Sequence, residues 1–409
     1  MARLGDAHHF KHKLARIRTR IELQESLALD DRLANIVIDA LRLGTAPIRG
    51  ALFLVTGRES IIDGMRGELD SVSAGGSALR LLNGDYGMGK TLTLRVLQDY
   101  AFQQGFATSL VTLSPRECPL YDLRVVYQHI VKGIRINECR DIPALERGLE
   151  SWARRVKADV QNGGTAPWSF WKLDLPFKEA LTIYFEAVFH DKFVPAEKAL
   201  SWIHGDVGSS RDARQIGVSE AITSANALQM LGNLTRMIRQ LGLRGLVILL
   251  DEAETIPSVC GISRRTEAYN NLGKLSNAAG STPFSYFVYA TTPLFFEYLA
   301  DSGVSTAIPN RKITTLRNLS HSEFVELALL IKGLYLQAYG WKGDRRIGDS
   351  KLQTLVSACL ARFKDSVTPR LVVRTVVKSL DLCHENPGLS FQDIVKALEE
   401  NVDKKPESG

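Results

Sequence analysis

The segment Gly84-Asp85-Tyr86-Gly87-Met88-Gly89-Lys90-Thr91 constrains this chain more than any other. It fits GxxxxGK followed by Ser or Thr, the phosphate-binding loop. Glycines let the backbone wrap one phosphate with successive N–H groups. A helix starting at the loop adds its positive dipole end. Lys90 then supplies a point charge to the β- and γ-phosphates, and Thr91 a hydroxyl to Mg²⁺. The context fits as well. Leu79–Leu82 is a short apolar run that reads as a strand, Leu92–Gln103 reads as a helix, and Ser109–Leu113 as a second strand. Strand, glycine loop, helix, strand is the unit from which α/β domains are built.

Two later stretches carry matching chemistry. Leu246–Leu250 is a purely aliphatic run, expected as a buried strand, and it ends in Asp251 and Glu252. In a phosphate-loop ATPase the first carboxylate joins the Mg²⁺ shell, and the second accepts the proton of the attacking water. Ser285–Ala290 is another expected strand, tipped by the hydroxyls of Thr291 and Thr292. Either could bridge water and γ-phosphate, while Thr292, which precedes Pro293, could simply end the strand. Phosphoryl transfer also needs positive charge near the γ-phosphate. Arg311, Arg370 and the Arg264-Arg265 pair are the candidates, each weighed against a solvated surface charge.

Ile313–Leu316 completes an expected parallel sheet of five strands. Residues 136–217, approximately, read as a helical insertion with a loop at Asn162–Gly164. Trp168, Phe170 and Trp171 within it read as local core rather than a base-stacking platform. Leu228, Leu231, Leu234, Ile238 and Leu241 mark a helix before the Asp-Glu strand. Near the start, Leu33, Ile36, Val37, Ala40 and Leu41 follow helical spacing up to Gly44. From Ser320 onward the chain reads as helical, beginning with the stripe Phe324, Leu327, Ala328, Ile331 and Tyr335. A length of 409 residues suits two or three domains. The expected division is an N-terminal helical segment (1–56), an α/β core (57–318) and a C-terminal helical domain (319–409).

Composition narrows the setting. The net charge of +6 permits nucleic-acid contact without requiring it. His8–Lys13 with Arg16, Arg18 and Arg20 is cationic, and reads either as a solvated helix face or as a contact to nucleic acid or an acidic partner. No aliphatic run approaches the about 18 residues that span a bilayer. The opening residues lack the apolar core of a secretory signal. Cys118, Cys139, Cys260, Cys359 and Cys383 form no CxxC pair, which fits a reducing cytoplasm and small buried thiols rather than a structural zinc site.

Phosphate loop, Asp-Glu strand, Thr-tipped strand, arginine and helical domain follow in an order that resembles AAA+ ATPases. More narrowly, the chain resembles the BREX-system ATP-binding proteins of the BrxC/BrxD family, which act in bacterial anti-phage defence. The likeness runs over roughly residues 30–385, through Ile38–Pro47, Gly57-Arg58-Glu59, the phosphate loop, Cys118–Tyr121, Trp202–Gly205, Leu250–Glu254 and Thr368-Pro369-Arg370. It implies ATP with Mg²⁺, and a C-terminal helical lid. It places Gly57 and Arg58 near the adenine, makes Arg311 a finger reaching a neighbouring subunit, and makes Arg370 a lid arginine acting within its own chain. Two features depart from the AAA+ pattern: Pro369 precedes the lid arginine, and the helical insertion separates the second strand from the third. Two functions follow from the likeness. One is a working ATPase that assembles into oligomers and remodels a DNA-associated defence complex with partners such as a helicase or methyltransferase. The other is a slow nucleotide-gated switch that recruits such an effector or a nuclease. An initiator-like protein would need a winged-helix DNA reader, for which the about 90 residues after Leu319 leave little room beside a lid.

Overall fold

A computed structural model describes residues 29–140, 142–164, 172–259, 261–278, 282–301, 312–343 and 345–402. Arg311, the cationic segment through Arg20, Cys260 and the Trp168–Trp171 aromatics lie outside the described residues. Six strands form one sheet: β1 (Ser77–Asn83), β2 (Ala107–Thr112), β3 (Ile134–Arg135), β4 (Leu246–Asp251), β5 (Ser285–Thr291) and β6 (Ile313–Thr315), in the order β3-β2-β4-β5-β1-β6. The helices, in chain order, are α1 (Asp31–Arg42), α2 (Glu59–Ser73), α3 (Lys90–Gln103), α4 (Leu123–Lys132), α5 (Leu145–Gln161), α6 (Leu175–Phe189), α7 (Phe193–Ile203), α8 (Ser210–Gln215), α9 (Ala227–Gln240), α10 (Ile262–Ala278), α11 (Pro293–Asp301), α12 (His321–Tyr339), α13 (Asp349–Phe363), α14 (Pro369–Glu385) and α15 (Phe391–Val402). None of the described helices is long and apolar enough to cross a membrane.

The five-stranded parallel sheet expected from the sequence needs correction. β2 also pairs with β3, antiparallel, through Thr108↔Arg135 and Ser109↔Ile134, so the sheet has six strands and is mixed. Two residues are too few to show an alternating pattern. What holds β3 is close packing on β2: Gly133 ends α4, and Ser109 Oγ donates to the Ile130 carbonyl at 2.7 Å. A side chain at residue 133 would meet that hydroxyl, since an added Cβ lies 2.6 Å from Ser109 Oγ.

The chain divides into two compact units. One comprises residues 65–83 and 104–314 and holds the sheet. Every residue of β4 and β5 is buried, as continuous apolar runs in parallel strands demand. β1, β4, β5 and β2 run parallel, with Asn83↔Thr291 and Thr112↔Asp251 in register, so their carboxyl ends share one edge. The insertion helices α5–α7 share the sheet's core: Trp152, Phe177, Phe185 and Trp202 belong to the same apolar cluster as Leu81, Ile248 and Phe287. Trp152 meets Phe185 edge-on at 4.8 Å, and buried Trp202 satisfies its indole N–H on the Glu220 carbonyl at 2.8 Å.

The other unit comprises residues 29–64, 84–103 and 315–402 of those described. Ala34, Val37, Ile38 and Leu41 of α1 enter one core with Phe324, Leu327 and Ile331 of α12 and Val372, Val376 and Leu380 of α14. Its helix starts are chemically marked. Asp30 caps α1 by accepting from Leu33 N at 2.7 Å. Ser320 and Glu323 form a capping box on α12. Thr368 caps α14, with Pro369 in its first turn.

Candidate functional site

The phosphate loop belongs to the helical unit. Gly87 and Gly89 adopt φ of 79° and 90°, the left-handed region that side chains avoid. A Cβ at Gly87 would stand 2.9 Å from Thr368 Oγ1, whereas one at Gly89 would meet nothing within 4 Å. The loop is therefore tight against the start of α14 at Gly87 and open at Gly89. Lys90, at the first position of α3, is buried, and its Nζ donates to the Gly84 carbonyl at 2.8 Å. It also lies 5.1 Å from the centre of the exposed Tyr86 ring. Thr91 follows, half-buried in the first turn of α3; Asp85 is exposed and Met88 half-buried.

Two neighbours brace the loop's carbonyls. The backbone N–H of Arg370 donates to the Gly87 carbonyl at 3.3 Å, while the residue itself is exposed. Arg58 is buried, and its Nη2 donates to the carbonyls of Met88 at 3.2 Å and Arg317 at 2.6 Å. Burial, with the nearby Arg317 charge second, pulls the Arg58 guanidinium below its ordinary range. Gly57 beside it packs on Glu323: an added Cβ would lie 2.5 Å from Oε1. Gly57, Arg58 and Arg370 thus gather around the loop, with Arg58 holding its backbone. The bracing role of Arg58 and the Thr368 contact were not legible in the sequence, because each depends on which carbonyl or Cα a fold brings near.

The carboxylates and hydroxyls belong to the sheet unit. Asp251 closes β4 and is 5% exposed; its Oδ1 accepts from Glu252 N at 3.1 Å. Glu252 turns into the left-handed region at φ 59°, unusual for a glutamate. Its side chain is exposed, and its carbonyl accepts from Thr255 N and Oγ1. The two threonines differ. Thr292 begins the turn into α11, its carbonyl accepting from Phe295 N at 3.0 Å. Thr291 is fully buried, and its Oγ1 has no hydrogen-bond partner among the described residues. Asn83 Oδ1, on the residue paired with Thr291, is likewise unpartnered. A buried hydroxyl or amide left without a partner costs about 1–3 kcal/mol, and these two atoms at one strand edge are available to a bound ligand. Sequence reasoning passed over Asn83; a polar residue closing an apolar strand directly before the glycine loop is the signal that could have found it.

The donors suit the group the loop implies. Lys90 and backbone N–H groups match phosphate oxygens, and a threonine hydroxyl with a carboxylate is the oxygen chemistry of Mg²⁺. The model of one protein family, described as the BREX system ATP-binding protein BrxC/D, matches residues 29–170 and 171–399. This chain belongs to that family. No curated protein sequence matches this BrxC/D family member. Three solved structures from Aeropyrum pernix are similar to it. The ORC2 protein in its ADPNP–ADP complexes is 12% identical over 85% of this chain and 68% of that chain, with a TM-score of 0.46. ORC1 in complex with DNA is 13% identical over 87% and 69%, at 0.43, and ORC2 in its ADP form is 13% identical over 87% and 71%, at 0.44.

Proposed function

We propose that this BrxC/D protein is an AAA+ type ATPase of BREX defence, hydrolysing ATP to drive assembly or remodelling of a DNA-associated complex. The buried Lys90, folded back on Gly84 within a loop braced by Arg58 and the start of α14, supports this reading best. Lys90 binds the β- and γ-phosphates, with the loop N–H groups from Gly84 to Thr91 around them. Thr91 and Asp251 would hold Mg²⁺, which would offset the charge of the phosphates. Glu252 accepts the proton of the attacking water, and the unpartnered Thr291 hydroxyl orients it, with Thr292 beside it. Gly57 and Arg58 lie near the adenine. Arg370 answers the γ-phosphate from within the chain, and Arg311 reaches the site of a neighbouring copy. The protein acts as a homo-oligomer in the cytoplasm, with partners such as a helicase or methyltransferase. The test is phosphate release. Wild type should release phosphate from ATP, and Lys90→Ala should lose both binding and release. Release by wild type no faster than by Lys90→Ala would contradict the proposal.

A further inference from the structure

A cavity of about 560 Å³ opens on the sheet unit beside the carboxyl ends of β2 and β4. One wall is the loop after β2, with Pro115, Arg116, Glu117 and Tyr121; the other is Val259 and Arg264, on the chain that leaves Glu252. Arg116 and Arg264 both line the cavity, are exposed, and form no ion pair among the described residues. Arg264 sits 5.3 Å over the Tyr121 ring. Two cations against the one carboxylate of Glu117, next to a ring and apolar Pro115 and Val259, form a site for a ligand that is both anionic and flat. The phosphate and base of one nucleotide in a nucleic-acid strand have that chemistry, and the volume accommodates them. An acidic peptide would meet the charges but leave the apolar walls and ring unused.

The chain around the cavity is tied to the backbone of the two acidic residues. Leu113 N donates to the Asp251 carbonyl at 2.9 Å. Thr255 Oγ1 contacts the Leu113 carbonyl at 3.5 Å and the Glu252 carbonyl at 2.9 Å. We infer that this cavity is a second, effector site that takes a single-stranded nucleic acid and, by drawing Arg116 and Arg264 together, sets the posture of Glu252. The coupling rests on the ATPase reading above; the binding does not, so the two can fail separately.

The test titrates a fluorescent oligo-dT with the full chain at several salt concentrations, and measures ATP turnover with and without that strand. Wild type should bind with affinity falling as salt rises, and the strand should speed turnover. Arg116→Glu, an exposed change, should weaken binding by about tenfold or more and flatten the salt dependence. Its turnover without the strand should stay at the wild-type level, while stimulation disappears. Tyr121→Leu should weaken binding by several fold without altering the salt dependence, through lost stacking. Absence of binding by wild type, or unchanged binding by Arg116→Glu, would overturn the site. Poly-glutamate binding as tightly as oligo-dT, with the same loss in Arg116→Glu, would overturn the nucleic-acid assignment. Binding with unchanged turnover would overturn the coupling.

Discussion

Around the phosphate loop the polar groups are already engaged: Lys90 on Gly84, Arg58 on Met88, the Arg370 N–H on Gly87. At the ends of β1 and β5, Asn83 Oδ1 and Thr291 Oγ1 are buried with no partner among the described residues. The difference separates two tasks. A binding loop gains by being pre-formed, since less ordering entropy is lost when the ligand arrives. On the ATPase reading proposed above, the edge of the sheet holds polar groups for a water and a phosphate, and tolerates the cost of leaving them unmatched until then.

Substitutions can break this contrast from either side. The largest effect is expected at Gly87→Val. The left-handed backbone and the Thr368 contact should together cost about 3 kcal/mol in chemical denaturation, with ATP affinity falling alongside. Arg58→Met should come next. It leaves the Met88 and Arg317 carbonyls without their donor and should lower stability by about 2 kcal/mol. ATP affinity should fall more than turnover at saturating ATP, because Arg58 shapes the loop and touches no reacting atom. Thr291→Val should do the opposite to stability. Removing an unmatched hydroxyl should raise stability by about 1 kcal/mol, while turnover falls about tenfold as the water loses its guide. A valine that destabilises the protein and leaves turnover intact would erase the distinction between the two regions.

The smallest effect concerns the loop's support. Glu323 packs on Gly57 and pairs with Arg317 through both oxygens, at 2.5 and 2.7 Å. The Arg317 hydrogen bond holds its carboxyl down to about 2, against an ordinary 4.5. A depressed carboxyl stabilises the fold above its unfolded value, and that share disappears as pH falls from about 4.5 through about 2. Wild type should therefore exceed Glu323→Gln by under about 1 kcal/mol near neutrality, a margin that closes across this window in acid titrations of stability.

Much of the loop and sheet was legible because it obeys local rules. Leu246–Leu250 could hardly be anything but a buried strand, and the glycine spacing around Lys90 admits few other readings. The short β3 escaped because two residues carry no period, and its pairing depends on Ser109 and Gly133 meeting across the sheet. The family resemblance pointed to Arg58 only as a residue near the adenine; its action on the Met88 carbonyl depends on long-range packing. Pro293 already set Thr292 apart from Thr291 in the sequence; the structure adds that only Thr291 lies within the strand's ladder, paired to Asn83.

The central claim is that the carboxyl edge of the sheet does chemistry that the pre-formed loop does not. Phosphate release at saturating ATP by Glu252→Gln, with ATP affinity measured on the same sample, addresses it most directly. The account predicts affinity within a few fold of wild type and release slower by about 10²–10⁴, because an amide cannot accept the water's proton. Release at the wild-type rate, or loss of ATP binding with a folded protein, would contradict it.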